Sequence, residues 1–139
     1  MNDDLFVTGR LGGANRGQHL EFIPRIEESR WLTKHFPIQA MMDLSDGLGS
    51  DLPRLARASG LGFAVDENSL PRNRGCSIRQ AIGDGEDYEL LFAISPADVS
   101  SLQARWRKKF PRIPLTRIGR LNPKSKIQNL KWPGYVHFQ

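Results

Sequence analysis

Residues 87–98 constrain the fold more firmly than any other stretch. Tyr88, Leu90, Phe92 and Ile94 alternate with Glu89, Leu91 and Ala93, the period-two pattern of a strand. The strand runs straight into Ser95-Pro96-Ala97-Asp98, which offers an N-cap hydroxyl, a proline at the first helical position and an acid in the first turn. Val99, Leu102, Trp106 and Phe110 then form an apolar stripe at helical spacing. The chain therefore mixes strands and helices, and its 139 residues suit one domain with a sizeable core.

The remaining elements follow from similar signals. Asp4–Leu11 reads as a strand with Leu5 and Val7 on one face, and Gly12–Gly17 as a glycine-rich loop. A helix is predicted from about Glu27 to His35, with Trp31 and His35 on one face, Leu32 and Phe36 on the next, and Pro37 as its stop. Gln39–Leu44 reads as a buried strand. The next helix takes Ser50 as N-cap, Asp51 at its positive end, Pro53 in its first turn and Gly60 as its stop. Gly62–Asp66 is a predicted strand, Ser77–Ile82 a short helix, and Ile113–Ile118 and Lys126–Leu130 two late strands joined across Asn122-Pro123-Lys124. Several connections are short and hairpin-like, so the pattern reads as a single α+β layer structure, a sheet on helices.

Charge is distributed unevenly. Residues 1–98 carry 10 Lys/Arg against 15 Asp/Glu, whereas residues 99–139 carry 10 Lys/Arg and no acid, which together give the net +5. A basic block of this kind can meet phosphates or nucleic acid, and its plainer reading is a solvated face. Cys76 is the only cysteine, so no intramolecular disulfide and no cysteine cluster for a metal can form. No apolar run reaches the roughly 18–20 residues of a membrane span, and the acidic Met1-Asn2-Asp3-Asp4 start does not look like a signal peptide. A cytoplasmic protein is the expectation. His19, His35 and His137 lack metal-ligand spacing, Gly12-Gly13 is no dinucleotide fingerprint, and the three tryptophans read as core or rim.

Two short segments are unusually polar for their position. In Met41-Met42-Asp43-Leu44-Ser45-Asp46-Gly47-Leu48 an apolar strand runs into two carboxylates, a hydroxyl and a glycine before a helix. Strand ends leading into helix N-termini offer free N–H groups to anions, and Mg²⁺ favours one or two carboxylates plus substrate phosphates. Asp43 and Asp46 can hold metal and Ser45 a phosphate oxygen; on spacing alone the favoured reading is plainer, that Ser45 and Asp46 cap the helix while Gly47 makes the turn. In Gly83-Asp84-Gly85-Glu86-Asp87-Tyr88-Glu89-Leu90 three carboxylates and two glycines precede a strand, which can be a ligand contact or an acidic turn.

Asp43-Leu44-Ser45-Asp46-Gly47-Leu48 and Gly85-Glu86-Asp87-Tyr88-Glu89-Leu90 together resemble the C-terminal half of the thiamine-monophosphate kinases. Val7-Thr8-Gly9-Arg10-Leu11-Gly12, Pro24-Arg25, Ala58-Ser59-Gly60, Leu70-Pro71, Ile118-Gly119 and Trp132-Pro133-Gly134-Tyr135-Val136-His137-Phe138 match in order, so the likeness runs from about Asp4 to Phe138. The first segment alone would indicate only the wider superfamily of aminoimidazole ribonucleotide synthetase relatives. The resemblance implies a layered α/β/α domain with a mixed sheet and partial likeness to a ferredoxin-like fold. It implies ATP-dependent phosphorylation of thiamine monophosphate to thiamine diphosphate by direct transfer, with Mg²⁺ and without a phospho-enzyme. It makes Asp43 and Asp46 Mg²⁺ ligands, Ser45 an ATP contact, and Glu86 and Tyr135 substrate contacts that line one cleft. It assigns no catalytic acid, base or nucleophile to this chain.

The resemblance also implies a preceding N-terminal domain that supplies further aspartates, much of the ATP site and the main dimer contact. The expectation is a single C-terminal-type domain over 1–139, with that N-terminal ATP- and Mg²⁺-binding domain absent. The expectation is a chain inactive alone, with a separate N-terminal domain or a homodimer as partner and no membrane. The alternatives are a non-catalytic ligand-binding or interaction module, and a nucleic-acid binder using the basic segment. The last is disfavoured, and steep salt dependence would mark it.

Overall fold

The computed structural model describes residues 2–13, 24–85 and 87–123. Its elements run β1 (Asp4–Thr8), α1 (Ile26–His35), β2 (Ala40–Asp43), α2 (Leu48–Ala58), β3 (Gly62–Val65), α3 (Ile78–Gly83), β4 (Leu90–Ile94), α4 (Val99–Lys109) and β5 (Leu115–Asn122). The strands form one sheet in the order β2-β4-β1-β5-β3. All four ladders are antiparallel. The sheet is therefore antiparallel and not mixed as expected; among the described residues, parallel pairing occurs as an isolated bridge between Leu11 and Arg72, outside the sheet.

Strand alternation divides the core into two layers. Leu5 and Val7 of β1, with Leu91 and Ala93 of β4, pack against Leu48, Leu52 and Leu55 of α2 and Ala81 and Ile82 of α3. Phe6, Leu90, Phe92 and Ile94 point the other way, onto Leu32 of α1, Phe36 just after it, and Leu102 and Trp106 of α4. Successive strand residues face opposite sides, so two apolar sets on neighbouring strands require helices on both faces. This is the α/β/α layering that the resemblance implied. Phe6 and Phe92 stack with ring centroids 5.7 Å apart, and Trp106 donates its indole N–H to the Ile113 carbonyl at 2.8 Å, so it belongs to the core.

Element boundaries shift where a local feature overrides periodicity. β1 ends at Thr8, not Leu11, because Gly9 takes φ 68° and turns the chain. β4 begins at Leu90, not Asp87, because Tyr88 sits at φ 53°, outside extended geometry. β5 is longer than predicted and runs from Leu115 to Asn122. The predicted Lys126–Leu130 strand lies outside the described residues. Ser77 starts α3 through a full capping box with Gln80, and Ser95 caps a 3-10 turn over Pro96–Asp98 that leads into α4.

The register places the site-bearing segments at one end of the sheet. Asp43 pairs with Leu90, Val7 with Leu91 and Thr8 with Leu115. The ends of β2 and β1 and the starts of β4 and β5 therefore meet at a single edge. Along it, in strand order, lie Asp43, Glu89, Thr8 and Pro114.

Candidate functional site

The loop after β2 is held from within. Asp51, fully buried in α2, accepts the backbone N–H groups of Ser45 and Asp46 on one carboxylate oxygen, both at 2.9 Å. Its other oxygen accepts from Arg54 at 3.1 Å, and the same guanidinium nitrogen donates to Asp46. Burial raises the Asp51 carboxyl above its usual range, against the lowering pull of those backbone donors.

This geometry corrects two expectations. Ser50 does not cap α2: the N-cap is Gly47 at φ 100°, with no side-chain cap, because Asp51 reaches back from inside the helix instead. Pro53 is the sixth residue of α2, in its second turn. The N–H groups of Ser45 and Asp46 already donate to Asp51, so those two donors are not free for an anion. The N-cap position of α2 falls on Gly47, so neither Ser45 nor Asp46 occupies it, and Asp46 pairs instead with Arg54 in the second turn. Gly47 does serve close approach, since a Cβ there would lie 3.1–3.2 Å from the carbonyl oxygens of Ile82, Gly83 and Asp84.

The second polar segment packs directly on the first. A Cβ on Gly85 would lie 2.9 Å from the Ser45 carbonyl oxygen. Tyr88 N–H donates to the Leu44 carbonyl and Leu44 N–H to the Glu89 carbonyl, both at 2.9 Å. The left-handed Tyr88 is thus kept in an unfavourable conformation by a backbone clasp between the two segments.

The acids of this segment reach outward to β1 and its following loop. Asp84 accepts Gly13 N–H at 2.9 Å and Asp87 accepts Gly12 N–H at 3.1 Å. The other Asp87 oxygen is buried with no partner among the described residues. Desolvation, opposed by the Gly12 bond and reinforced by Asp84 and Glu89, pushes the Asp87 carboxyl up to about 7. Glu89 takes a bidentate contact from Arg25, at 2.7 and 3.1 Å, and the Thr8 hydroxyl at 2.9 Å. Motif spacing marked the acidic stretch as a whole; Arg25 and Thr8 carry no local signal for these bonds.

The predicted site residues divide accordingly. Asp43 stands exposed at the end of β2, Ser45 is half-buried and Asp46 is exposed beside Arg54. Glu86 and Tyr135 lie outside the described residues, as does the cleft that would join them. Among the described residues no group of three His, Cys, Asp or Glu side chains could hold a metal ion. No helix among them is long and apolar enough to cross a membrane. Cys76 is buried.

A family model described as AIR synthase related protein, C-terminal domain, matches residues 6–128. The thiamine-monophosphate kinase of Rhodopirellula baltica is 31% identical over 155 residues, covering 97% of this chain and 48% of that protein. The crystal structure of thiamine-monophosphate kinase from Stenotrophomonas maltophilia aligns with TM-score 0.76 at 28% identity, over 87% of this chain and 48% of that one. AaThiL complexed with AMPPCP and TMP aligns with TM-score 0.71 at 27% identity, over 99% of this chain and 52% of that one. The chain spans about half the length of the relatives it matches.

Proposed function

The chain belongs to the AIR synthase related, C-terminal domain family, and from that premise we propose that it is the C-terminal half of a thiamine-monophosphate kinase. The observation that carries this reading is the packing of Gly85 on the Ser45 carbonyl, which joins the two motif segments at one sheet edge. In the reaction a phosphate oxygen of thiamine monophosphate attacks the γ-phosphorus of ATP. A new P–O bond forms, the bond to ADP breaks, and thiamine diphosphate and ADP leave. The attacking oxygen is already anionic, so positioning and charge neutralisation dominate, and no side chain need act as nucleophile.

The residues present fit Mg²⁺ in part. Asp43 and Asp46 offer hard oxygen donors at an exposed loop, and Asp46 already attracts a cation, the Arg54 guanidinium. Two carboxylates suit a metal that takes its remaining ligands from phosphates, water and a further domain. Bound there, Mg²⁺ would neutralise crowded phosphate oxygens. Ser45 Oγ donates to an ATP phosphate oxygen. Asp51 holds the loop that presents all three. Glu86 and Tyr135 contact the thiamine end, where an aromatic face suits a flat cationic ring. An N-terminal half supplies the other wall, as a separate chain or domain, or a second copy of the chain does so in a homodimer.

The test is reconstitution. The purified chain with ATP, Mg²⁺ and thiamine monophosphate is expected to give no thiamine diphosphate, and adding a relative's N-terminal half in trans is expected to restore turnover. Failure of every such pairing, with both halves folded and associated, would overturn the reading in favour of a non-catalytic binding module.

A further inference from the structure

The sheet edge continues past Glu89 into a basic groove that the kinase reading leaves unused. One cavity of about 240 Å³ is lined by Arg10, Arg25, Asn73, Asp87, Glu89 and Arg112, among others. A second, of about 380 Å³, is lined by Arg10, Gln103, Arg107 and Arg112 beside the Trp106–Phe110 end of α4. The two share Arg10, Arg112 and Pro114, so they form one continuous groove.

The charges in the groove are unbalanced. Arg10, Arg107 and Arg112 are exposed and have no ion-pair or hydrogen-bond partner among the described residues. Arg25 is occupied by Glu89, so that carboxylate does not serve the other three. Among the described residues lining the groove Asp87 is the remaining acid, and its carboxyl is pushed up to about 7. Guanidinium forks match phosphate oxygens bidentately. Three of them around an elongated groove exceed what one phosphate can engage, and Gln103 adds an uncharged donor.

We propose that this groove binds an oligophosphate anion, free or as the tail of a nucleotide, across Arg10, Arg107 and Arg112. The site lies across β4 and β1 from Asp43, so its binding needs neither Mg²⁺ nor the Asp43–Asp46 loop.

Calorimetric titration of the whole chain with inorganic tripolyphosphate in EDTA tests the site. Arg107→Gln/Arg112→Gln is expected to weaken binding at least tenfold. Asp46→Asn is expected to leave it within twofold. Arg74→Gln/Arg79→Gln removes equal charge from exposed arginines outside the groove and is expected to change it little. The groove arginines have no partners among the described residues, so their replacement is expected to leave thermal unfolding unchanged, which separates lost binding from lost fold. Equal affinity for tripolyphosphate and a nucleoside triphosphate identifies the phosphate chain as the ligand, and tighter nucleotide binding identifies a nucleotide. Absence of binding, equal loss in both arginine pairs, or dependence on Mg²⁺ and Asp46 overturns the proposal. These outcomes are independent of kinase turnover.

Discussion

Glu89 places its carboxylate in the space that a Cβ on Gly9 would occupy. Gly9 is held at φ 68°, a conformation that side chains rarely adopt, directly after Thr8. The glycine thus allows β1 to end beside the Arg25–Glu89 pair, and that pair ties α1 to the acidic segment before β4. Gly9→Ala must displace Glu89 and break its bonds to Thr8 and Arg25. The expected loss is about 2–4 kcal/mol, from left-handed strain plus a broken, partly buried ion pair. Urea unfolding measures it; a change under about 0.5 kcal/mol would show that Glu89 relocates freely.

Asp51 supports the loop that carries Asp43, Ser45 and Asp46. Asp51→Ala strands two N–H groups and is expected to cost roughly 2–4 kcal/mol. Asp51→Asn keeps one acceptor oxygen at the same place and should cost less. Amide exchange at Ser45 and Asp46 is the discriminating measurement: both protons should exchange much faster in the alanine variant. Unchanged exchange would remove Asp51 from its supporting role.

The Asp87 carboxyl, raised from 3.8 to about 7, gives stability a definite pH dependence. Between these values the folded state keeps a proton that the unfolded chain has released. Folding stability is therefore greatest below about pH 4 with respect to this group, and falls as pH rises toward 7. Asp87→Asn retains an acceptor for Gly12 N–H and never ionises. It is expected to flatten that slope and to stabilise the protein at pH 8 by roughly 1–3 kcal/mol. Parallel pH profiles for the two proteins would contradict the assignment.

In a reconstituted kinase, Asp46→Asn should lower kcat at least a hundredfold while leaving the fold intact, since its side chain is exposed. Ser45→Ala should act mainly on the KM for ATP. A near-normal rate for Asp46→Asn would move the metal site elsewhere.

Glu86→Gln and Tyr135→Ala should each raise the KM for thiamine monophosphate more than tenfold, with the KM for ATP little changed. If the two variants instead affect ATP, their place at the thiamine end is wrong. A double variant no worse than either single one would indicate that they act on one group.

Much of the architecture was legible because it rests on short-range periodicity. Trp31, Leu32, His35 and Phe36 announced α1, and Ser95-Pro96-Ala97-Asp98 announced the turn into α4, because caps and apolar stripes act over one or two turns. The motif segments were legible as well, since their residue types are unusual beside apolar runs. Pairing order was not: nothing in the chain's local pattern places β1 between β4 and β5, because that depends on contacts between residues far apart in sequence. The same holds for Asp51, which looks like an ordinary first-turn acid until the fold turns its carboxylate back onto Ser45 and Asp46. Tyr88 likewise fits the alternation of a strand, and only the clasp to Leu44 takes it out of extended geometry. The sequence determined which segments are apolar, polar or glycine-bearing, as composition and spacing are local properties. The tertiary structure alone decided which carboxylates are buried, which arginines pair with which acids and which segments share a sheet edge, because burial and electrostatic pairing are set by neighbours distant along the chain.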